Sequence, residues 1–242
     1  MTAHVEDETL ARLLDLQQED SEIRRLTDRK AALPEARELT ELNARLAEVG
    51  ADLAIARKQQ EEIEREGTRL EGEVGMLDDK IAREEQRLFA GAVSNPKELS
   101  ALQAEVEMLK RKKATMEDDL LEVMVQRDSS SDTTSRLDAE HAEIAEGATA
   151  LTAKVNELVA EIDAQLLSHS TRRSEVAATV PQDLRSLYER IREQKQGIGA
   201  APLVEGTCAG CHTRLPAREV ERLKAERGLQ RCDNCRRILV IL

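Results

Sequence analysis

The sequence predicts a mainly α-helical protein: a long antiparallel coiled-coil hairpin followed by a small C-terminal domain of mixed α and β structure. Three observations lead to this fold class. Aromatic residues make up 1% of the chain and charged residues 35%, a composition typical of long helices that bury narrow apolar stripes. Apolar residues recur every three or four positions over most of the chain. All four cysteines lie near the C-terminus, as two C-x-x-C pairs.

A first seam of apolar residues runs through the first half of the chain. Its spacings alternate between three and four, which gives the 3.5-residue repeat of a left-handed coiled coil. The seam positions are Leu39, Leu42, Leu46, Val49, Leu53, Ala56, Gln60, Ile63, Gly67, Leu70, Val74, Leu77, Ile81, Glu84 and Leu88. Upstream, the leucines from Leu10 to Leu33 also follow a helical pattern. Pro34 follows them, and we expect a kink or a helix restart there because proline removes a backbone donor.

The chain is then predicted to turn back on itself. Residues 91–96 combine Gly, Asn and Pro, which together end a helix, and Ser94 or Asn95 is suited to cap the next one. A second seam keeps one heptad phase, with its positions at Leu99, Leu102, Val106, Leu109, Lys113, Met116, Leu120, Val123, Arg127, Ser130, Thr134, Leu137, His141, Ile144, Ala148, Leu151, Val155, Leu158, Ile162, Gln165 and His169. Two long seams joined by a short turn fold back antiparallel.

Pairing the two seams about the turn sets Leu46 beside His141 and forms a polar layer from Gln60 and Arg127. The Ser-rich stretch 128–135 has poor helix propensity, so a loop is one interpretation. We favour a continuous helix, because the heptad phase is the same on both sides of the stretch.

The cysteine spacing predicts a structural zinc site. The two pairs are Cys208–Cys211 and Cys232–Cys235. Each pair makes a tight turn, and four thiolates suit tetrahedral Zn²⁺ with no position left for water. Disulfides are disfavoured in a reducing compartment, and a redox C-x-x-C normally lies in a βαβ unit. Iron takes the same ligands, but its sites usually have aromatic neighbours. His212 is expected to be a bystander. The domain is therefore predicted to be a C4 zinc ribbon of α+β structure that lacks a core of its own.

Four regions follow from these patterns: a flexible tail over 1–7, the hairpin over 8–179 with its turn at 91–96, a connecting helix over 180–197, and the zinc ribbon over 198–242. Tyr188 in the connecting helix is predicted to anchor the ribbon to the hairpin. The apolar stripe from Leu10 to Leu33 has no evident partner on the helix that carries the second seam. This stripe could therefore mediate self-association of the chain. Monomer and homodimer both stay open.

The chain resembles a bacterial family of C4-type zinc-ribbon proteins with an N-terminal coiled-coil hairpin. The residues that carry the resemblance are Asn95-Pro96-Lys97-Glu98-Leu99, Ala101-Leu102-Gln103, Cys208-Ala209-Gly210-Cys211-His212, Leu215-Pro216 and Cys232-Asp233-Asn234-Cys235-Arg236-Arg237-Ile238-Leu239. The resemblance implies zinc binding at the four cysteines. It also implies nucleic-acid binding, and adaptor roles around transcription or secretion machinery.

A basic ribbon on an acidic chain is the feature that predicts RNA or DNA as a partner. The whole chain carries a net charge of −12, whereas residues 198–242 hold eight Lys or Arg against five Asp or Glu. The candidate nucleic-acid-binding residues are Arg214, Arg218, Arg222, Lys224, Arg227, Arg231, Arg236 and Arg237. The alternative is that these side chains pair with neighbouring acids. The ribbon has no aromatic side chain on which unpaired bases stack.

The alternative function is a protein-protein adaptor, or a chaperone-like scaffold for transcription or secretion machinery, that uses the coiled-coil stalk and its tip. The candidate tip residues are Val93, Ser94, Asn95, Pro96 and Lys97. An enzyme is not expected, because no nucleophile–base pair or phosphate-binding glycine loop is visible and no catalytic residue is proposed. No apolar run is long enough for a membrane span and the N-terminus is acidic, so we expect a cytoplasmic protein.

Overall fold

The computed structural model describes residues 7–90, 95–226 and 228–241. Their elements are, in chain order, α1 (Asp7–Ala31), α2 (Pro34–Phe89), α3 (Pro96–Thr179), α4 (Gln182–Gln194), β1 (Ala200–Val204), β2 (Thr207–Cys208), α5 (Ala217–Ala225), β3 (Gln230–Arg231) and β4 (Ile238–Val240). The predicted fold class is confirmed. The chain divides into two compact units: the hairpin unit, Glu38–Leu151, and the ribbon unit, made of the residues up to Arg37 and those from Thr152 onward.

In the hairpin unit, α2 and α3 pack along the two predicted seams. Every predicted seam position of α2 from Leu39 to Leu88 is buried or half-buried, and so is every one of α3 from Leu99 to Leu151 except Arg127. Ion pairs flank the seam, such as Arg57 with Asp138. The 3.5-residue repeat therefore identifies the contact surface correctly. Among the described residues, no helix is both long and apolar enough to cross a membrane.

One contact extends beyond the predicted pairing of individual seam residues. A Cβ added to Gly50 would lie 3.5 Å from His141 Nε2, so the His141 side chain reaches one helical turn past Leu46. Side chains of a helix lean toward its own N-terminus. In an antiparallel pair, each α3 side chain therefore leans toward higher residue numbers of α2, which displaces the contacts from a pairing made on sequence positions.

The predicted polar layer does not form. Arg127 is exposed and lies 3.6 Å from Asp128, while the Gln60 amide donates to Glu64 of its own helix at 3.2 Å. A charged group that can reach water avoids the desolvation that a seam position imposes, so Arg127 turns outward.

The Ser-rich stretch 128–135 is helical, as the unbroken heptad phase predicts. Thr134 occupies its seam position with 7% of its surface exposed, and its hydroxyl donates to the Ser130 carbonyl at 2.9 Å. Packing of Thr134 in the seam offsets the poor helix propensity of the neighbouring serines.

Proline marks the start of both long helices. α1 ends at Ala31 and α2 restarts at Pro34, while α3 starts at Pro96. Pro fits the first helical position, where a backbone donor has no intrahelical partner. Before Pro96, the Asn95 Oδ1 accepts a hydrogen bond from the Lys97 amide at 3.0 Å and caps α3.

The ribbon unit contains a four-stranded sheet in the order β2-β1-β4-β3. β1 and β4 run parallel, with Ala200 beside Ile238, and the outer strands pair antiparallel to them. One side of this sheet joins α1, α4 and the end of α3 in a single core. Its buried members are Leu10, Leu13, Leu16, Ala177, Val180, Leu184, Tyr188, Ile191, Ala200, Ile238 and Val240.

This core supplies the partner that the sequence leaves open for the stripe from Leu10 to Leu33. Leu10, Leu13 and Leu16 pack against the sheet and α4, and Leu26 and Leu33 pack with Ile162. The stripe is therefore covered within the chain and does not present the exposed apolar surface that self-association through it would require.

Candidate metal centre

Four cysteine thiols converge between the two C-x-x-C turns. The Sγ atoms of Cys208 and Cys235 are 4.0 Å apart, those of Cys211 and Cys232 are 3.9 Å apart, and all four lie within 4.8 Å of one another. A tetrahedral Zn²⁺ with Zn–S bonds of about 2.3 Å needs sulfurs roughly 3.8 Å apart. The thiols fit this requirement, and the four cysteines hold structural zinc.

The two C-x-x-C turns have the same backbone geometry. The amides of His212 and Arg236 donate to the carbonyls of Cys208 and Cys232, both at 2.8 Å. His212 and Arg236 both have positive φ, at 56° and 64°. Each turn thereby folds back on itself and aims its two thiols at one point. The His212 side chain is exposed and lies outside the four-thiol cluster, as expected of a bystander.

The environments of the four thiols differ. Burial raises the pKa of Cys208 to about 12 and also raises the pKa of Cys232. Burial opposes ionisation at Cys211 too, but hydrogen bonds from Thr213 and Asn234 outweigh it and lower the pKa to about 6. A cation must therefore supply the driving force for the buried thiols to lose their protons, so zinc binding releases protons.

The second side of the sheet forms a small core around the thiols, which corrects the expectation that the ribbon has none. Its buried members are Ala201, Cys208, Leu215, Leu223, Cys232 and Leu239. Leu223 is contributed by α5, so the helix between the two C-x-x-C pairs closes this core. The metal and this cluster together hold one face of the ribbon.

A buried polar network beneath the ribbon is not predicted from the sequence. The Gln17 Oε1 accepts from the Gly199 amide at 2.6 Å, and its Nε2 donates to the Gly197 carbonyl at 3.0 Å. The Tyr188 hydroxyl donates to Asp20 Oδ2 at 2.7 Å. Tyr188 is fully buried, which confirms the anchor predicted from α4. Its ring would lie 2.7 Å from a Cβ at position 199, so that position requires glycine.

Two arginines complete the network. Arg173 Nε donates to Asp20 Oδ1 at 2.8 Å, and Arg192 lies 3.4 Å from the same oxygen. Both also pair with Glu189. The only sequence signal for this network is that Gln17 and Asp20 share a face of α1 with Leu13 and Leu16, which places polar groups on an apolar face.

The structure gives Arg237 a docking role. Its Nε donates to the Ile198 carbonyl at 3.0 Å and its Nη2 to the Lys195 carbonyl at 2.9 Å. These carbonyls lie just after α4, so Arg237 ties β4 to the end of that helix. Its guanidinium is half-buried and already bonded to two carbonyls, which disfavours the predicted nucleic-acid contact at Arg237.

The remaining basic candidates fall into two groups. Arg214, Arg218 and Lys224 are exposed and make no ion pair with a residue in the described part of the chain. The others are engaged: Arg222 pairs with Glu226 and Asp233, Arg236 pairs with Asp233, and Arg231 donates to the Arg236 carbonyl. Arg227 lies outside the described residues.

The tip candidates are only partly described. Val93 and Ser94 lie outside the described residues. Asn95, Pro96 and Lys97 are exposed at the start of α3, where Asn95 has the capping role given above. Phe89, at the end of α2, is 82% exposed and is a large apolar side chain at the surface beside the turn.

A closed four-thiol site in a small ribbon, in a chain whose long helices form a hairpin, defines a zinc-binding coiled-coil protein. Residues 16–196 match the family model described as CT398-like coiled coil hairpin domain, and residues 207–239 match the C4-type zinc ribbon domain. The chain therefore belongs to the CT398-like coiled-coil hairpin family, and the resemblance stated from its motifs is confirmed.

Relatives with similar sequence or structure span most of the chain. The uncharacterized protein Rv2229c of Mycobacterium tuberculosis is 33% identical, over 78% of this chain and 78% of its own length. A solved structure from Mycobacterium smegmatis is 27% identical, with a TM-score of 0.85 over 100% of both chains. CT398 of Chlamydia trachomatis, at 22% identity and a TM-score of 0.71 over 97% of this chain and 98% of its own, shares the fold.

Proposed function

We propose that this chain is a non-enzymatic, cytoplasmic protein whose zinc ribbon contacts the phosphates of RNA or DNA. The observation that carries the proposal is a group of exposed cations that form no ion pair with any described residue: Arg214, Arg218 and Lys224. Arginine and lysine bind phosphate through charge, and they release counterions when they do so.

The chemistry of the surface favours backbone contacts over base recognition. Residues 198–242 contain no Phe, Tyr or Trp, so the ribbon offers no aromatic platform on which bases stack. Phosphate contacts position a nucleic acid without reading its sequence. We therefore expect affinity that depends steeply on salt and only weakly on sequence.

The first prediction concerns the triple variant Arg214→Gln, Arg218→Gln, Lys224→Gln. If each cation neutralises one phosphate, a plot of the logarithm of the binding constant against the logarithm of the salt concentration becomes less steep. The magnitude of its slope falls by about two to three. Binding of labelled RNA and duplex DNA to the full chain, measured by fluorescence anisotropy across a salt series, gives this slope.

A matched control removes three exposed cations from the helices. The control substitutions are Arg12→Gln, Lys58→Gln and Arg65→Gln, which change the net charge by the same amount. The control is expected to keep the wild-type slope. Equal weakening by both variants would assign binding to overall charge, and no wild-type binding at low salt would reject the proposal.

Protein binding at the tip is the second candidate, and the exposure of Phe89 favours it. A large aromatic side chain that is 82% exposed contributes most to affinity when a partner buries it. A photo-cross-linking residue at position 89 is expected to yield a discrete adduct in living cells. The matched control is position 76, where Met76 of the same helix is 66% exposed. The same adduct from both positions, or none from position 89, would count against a tip partner.

A further inference from the structure

One turn of α3 is apolar on nearly all sides. Residues 120–125 contain five apolar side chains and one acid, Glu122. Leu120 and Val123 face the seam and are half-buried, whereas Leu121 is 59% exposed and Val125 is 69% exposed. A helix that is hydrophobic all round is normally buried on all sides. The hairpin covers only one side of this turn.

The exposed side chains adjoin grooves between α2 and α3. Val125 lines a groove of about 580 Å³ whose other walls are mostly small or uncharged. Its small or apolar lining residues include Ala56, Ile63, Ser129 and Ser130, and Glu62 is the one charged lining residue. Met124, 39% exposed, lines a second groove of about 250 Å³ with Gly67 and Thr68. Small side chains in such grooves allow another backbone to approach closely.

These features form one surface, which we call the α3 patch and define as Leu121, Met124, Val125 and the groove beside Val125. Single exposed apolar side chains are common on soluble proteins. Three of them within one helical turn, continuous with a groove in which Glu62 is the one charged lining residue, have the form of a helix-binding site.

The charge around the α3 patch restricts what binds there. Residues 117–132 hold six Asp or Glu and one Arg, and that Arg127 already lies 3.6 Å from Asp128. Along α3 the apolar turn is thus bordered by acids on both sides, and the facing stretch of α2, residues 58–73, holds six Asp or Glu against three Lys or Arg. Electrostatic complementarity requires a partner with cations beside its apolar face.

A second copy of the chain does not meet this requirement. An antiparallel two-fold contact centred on Val125 would oppose Asp118 to Asp132 and Glu122 to Asp128. A parallel two-fold contact would oppose each acid to itself. Either arrangement places like charges together beside a newly dehydrated surface.

We propose that the α3 patch docks an amphipathic helix of another protein, with Leu-like side chains on one face and Lys or Arg along its borders. The docked helix would lie against α2 and α3 and form a local three-helix bundle. This site lies wholly in the hairpin unit and does not depend on nucleic-acid binding by the ribbon.

The test uses a labelled amphipathic helical peptide of Leu and Lys, about 20 residues long so that it holds a helix. The full chain is compared with the double variant Leu121→Gln, Val125→Gln. We expect the variant to bind the peptide roughly tenfold or more weakly, since two apolar contacts are lost. A peptide with Glu in place of Lys is expected not to bind the wild-type protein.

The matched control is the double variant Met76→Gln, Leu167→Gln, whose native side chains are 66% and 70% exposed. It is expected to bind the Leu/Lys peptide as the wild-type protein does. Circular dichroism is expected to show wild-type helix in both variants, since the substituted side chains face solvent. Both are also expected to bind RNA as the wild-type protein does, which separates this proposal from the ribbon's function.

Several results would overturn the proposal. No binding of the Leu/Lys peptide, or equal weakening in both double variants, would show that the α3 patch is not a specific site. Sedimentation velocity supplies a further test. A dimeric wild-type protein that becomes monomeric with Leu121→Gln, Val125→Gln would assign the patch to a second copy of the chain.

Discussion

Replacing Cys208 with serine is expected to unfold the ribbon while most of the helical signal remains. Cys208 is fully buried, and its Sγ lies in the four-thiol cluster. The apparent free energy of zinc binding in small zinc domains is about 10–16 kcal/mol, more than such a domain's core supplies. Removing one thiolate also opens a closed site to water. Chelation of zinc from the wild-type protein is expected to give the same end state.

Unfolding caused by Cys208→Ser is expected to extend to the elements that share a core with the ribbon, but not to the hairpin unit. β1 and β4 pack against Leu10 and Leu13 of α1, so unfolding the ribbon uncovers the start of that helix. Hydrogen exchange is expected to accelerate in residues 200–241, in α4 and in α1. Residues of the hairpin unit, Glu38–Leu151, are expected to keep wild-type protection.

His212→Ser is the control for this prediction, because His212 adjoins Cys211 but is exposed and lies outside the thiol cluster. It is expected to keep the zinc content, circular dichroism and exchange pattern of the wild-type protein. If Cys208→Ser instead removed most of the helix, the hairpin would depend on the ribbon for folding, and the division into two units would be wrong.

The sequence identifies the parts of this fold that depend on local periodicity. A heptad seam needs only residues three and four apart, and its positions from Leu39 to Leu88 are buried or half-buried as predicted. The zinc site is of the same kind, because a C-x-x-C turn is local and four thiolates suit one metal. Even the weak helical stretch at 128–135 follows from heptad phase, since Thr134 takes a seam position.

The parts that the sequence does not identify depend on residues far apart in the chain. Gln17 meets Gly199, and Asp20 meets Arg173, so no spacing rule relates them. From its residue type, Arg237 is expected to be a cation exposed on the surface. In the structure its guanidinium instead donates to the carbonyls of Lys195 and Ile198. A side chain's partners decide its role there, and only the folded chain supplies them.

Replacing Tyr188 with alanine is the substitution outside the zinc site expected to weaken ribbon docking most. The side chain is fully buried between α1, α4 and the sheet. Removing a buried aromatic side chain costs about 3–5 kcal/mol, through lost burial and the cavity that remains. Tyr188→Phe keeps the ring but loses the donor to Asp20, and a hydrogen bond to a charged group contributes about 1.5–3 kcal/mol.

The free-energy cost of Tyr188→Phe should lie at the low end of the range for one hydrogen bond to a charged group. Asp20 keeps Arg173 as a donor, and Gln17 keeps the Gly199 amide. The measurement is the urea concentration at which a chromogenic chelator takes up half of the zinc. Tyr188→Ala is expected to lower this midpoint most and Tyr188→Phe less. Arg190→Ala, at an exposed neighbour on α4 that is not part of this core, is the control and is expected to lower it least.

The order of these midpoints tests how the ribbon is held. A ribbon that folds on its zinc ion and thiol cluster alone would release zinc at one urea concentration in all three variants. A ribbon that also depends on α1 and α4 would follow the order Ala, Phe, then the control. The shared core of Leu13, Tyr188 and Ile238 predicts the second result, because unfolding the sheet exposes apolar surface on both sides of it.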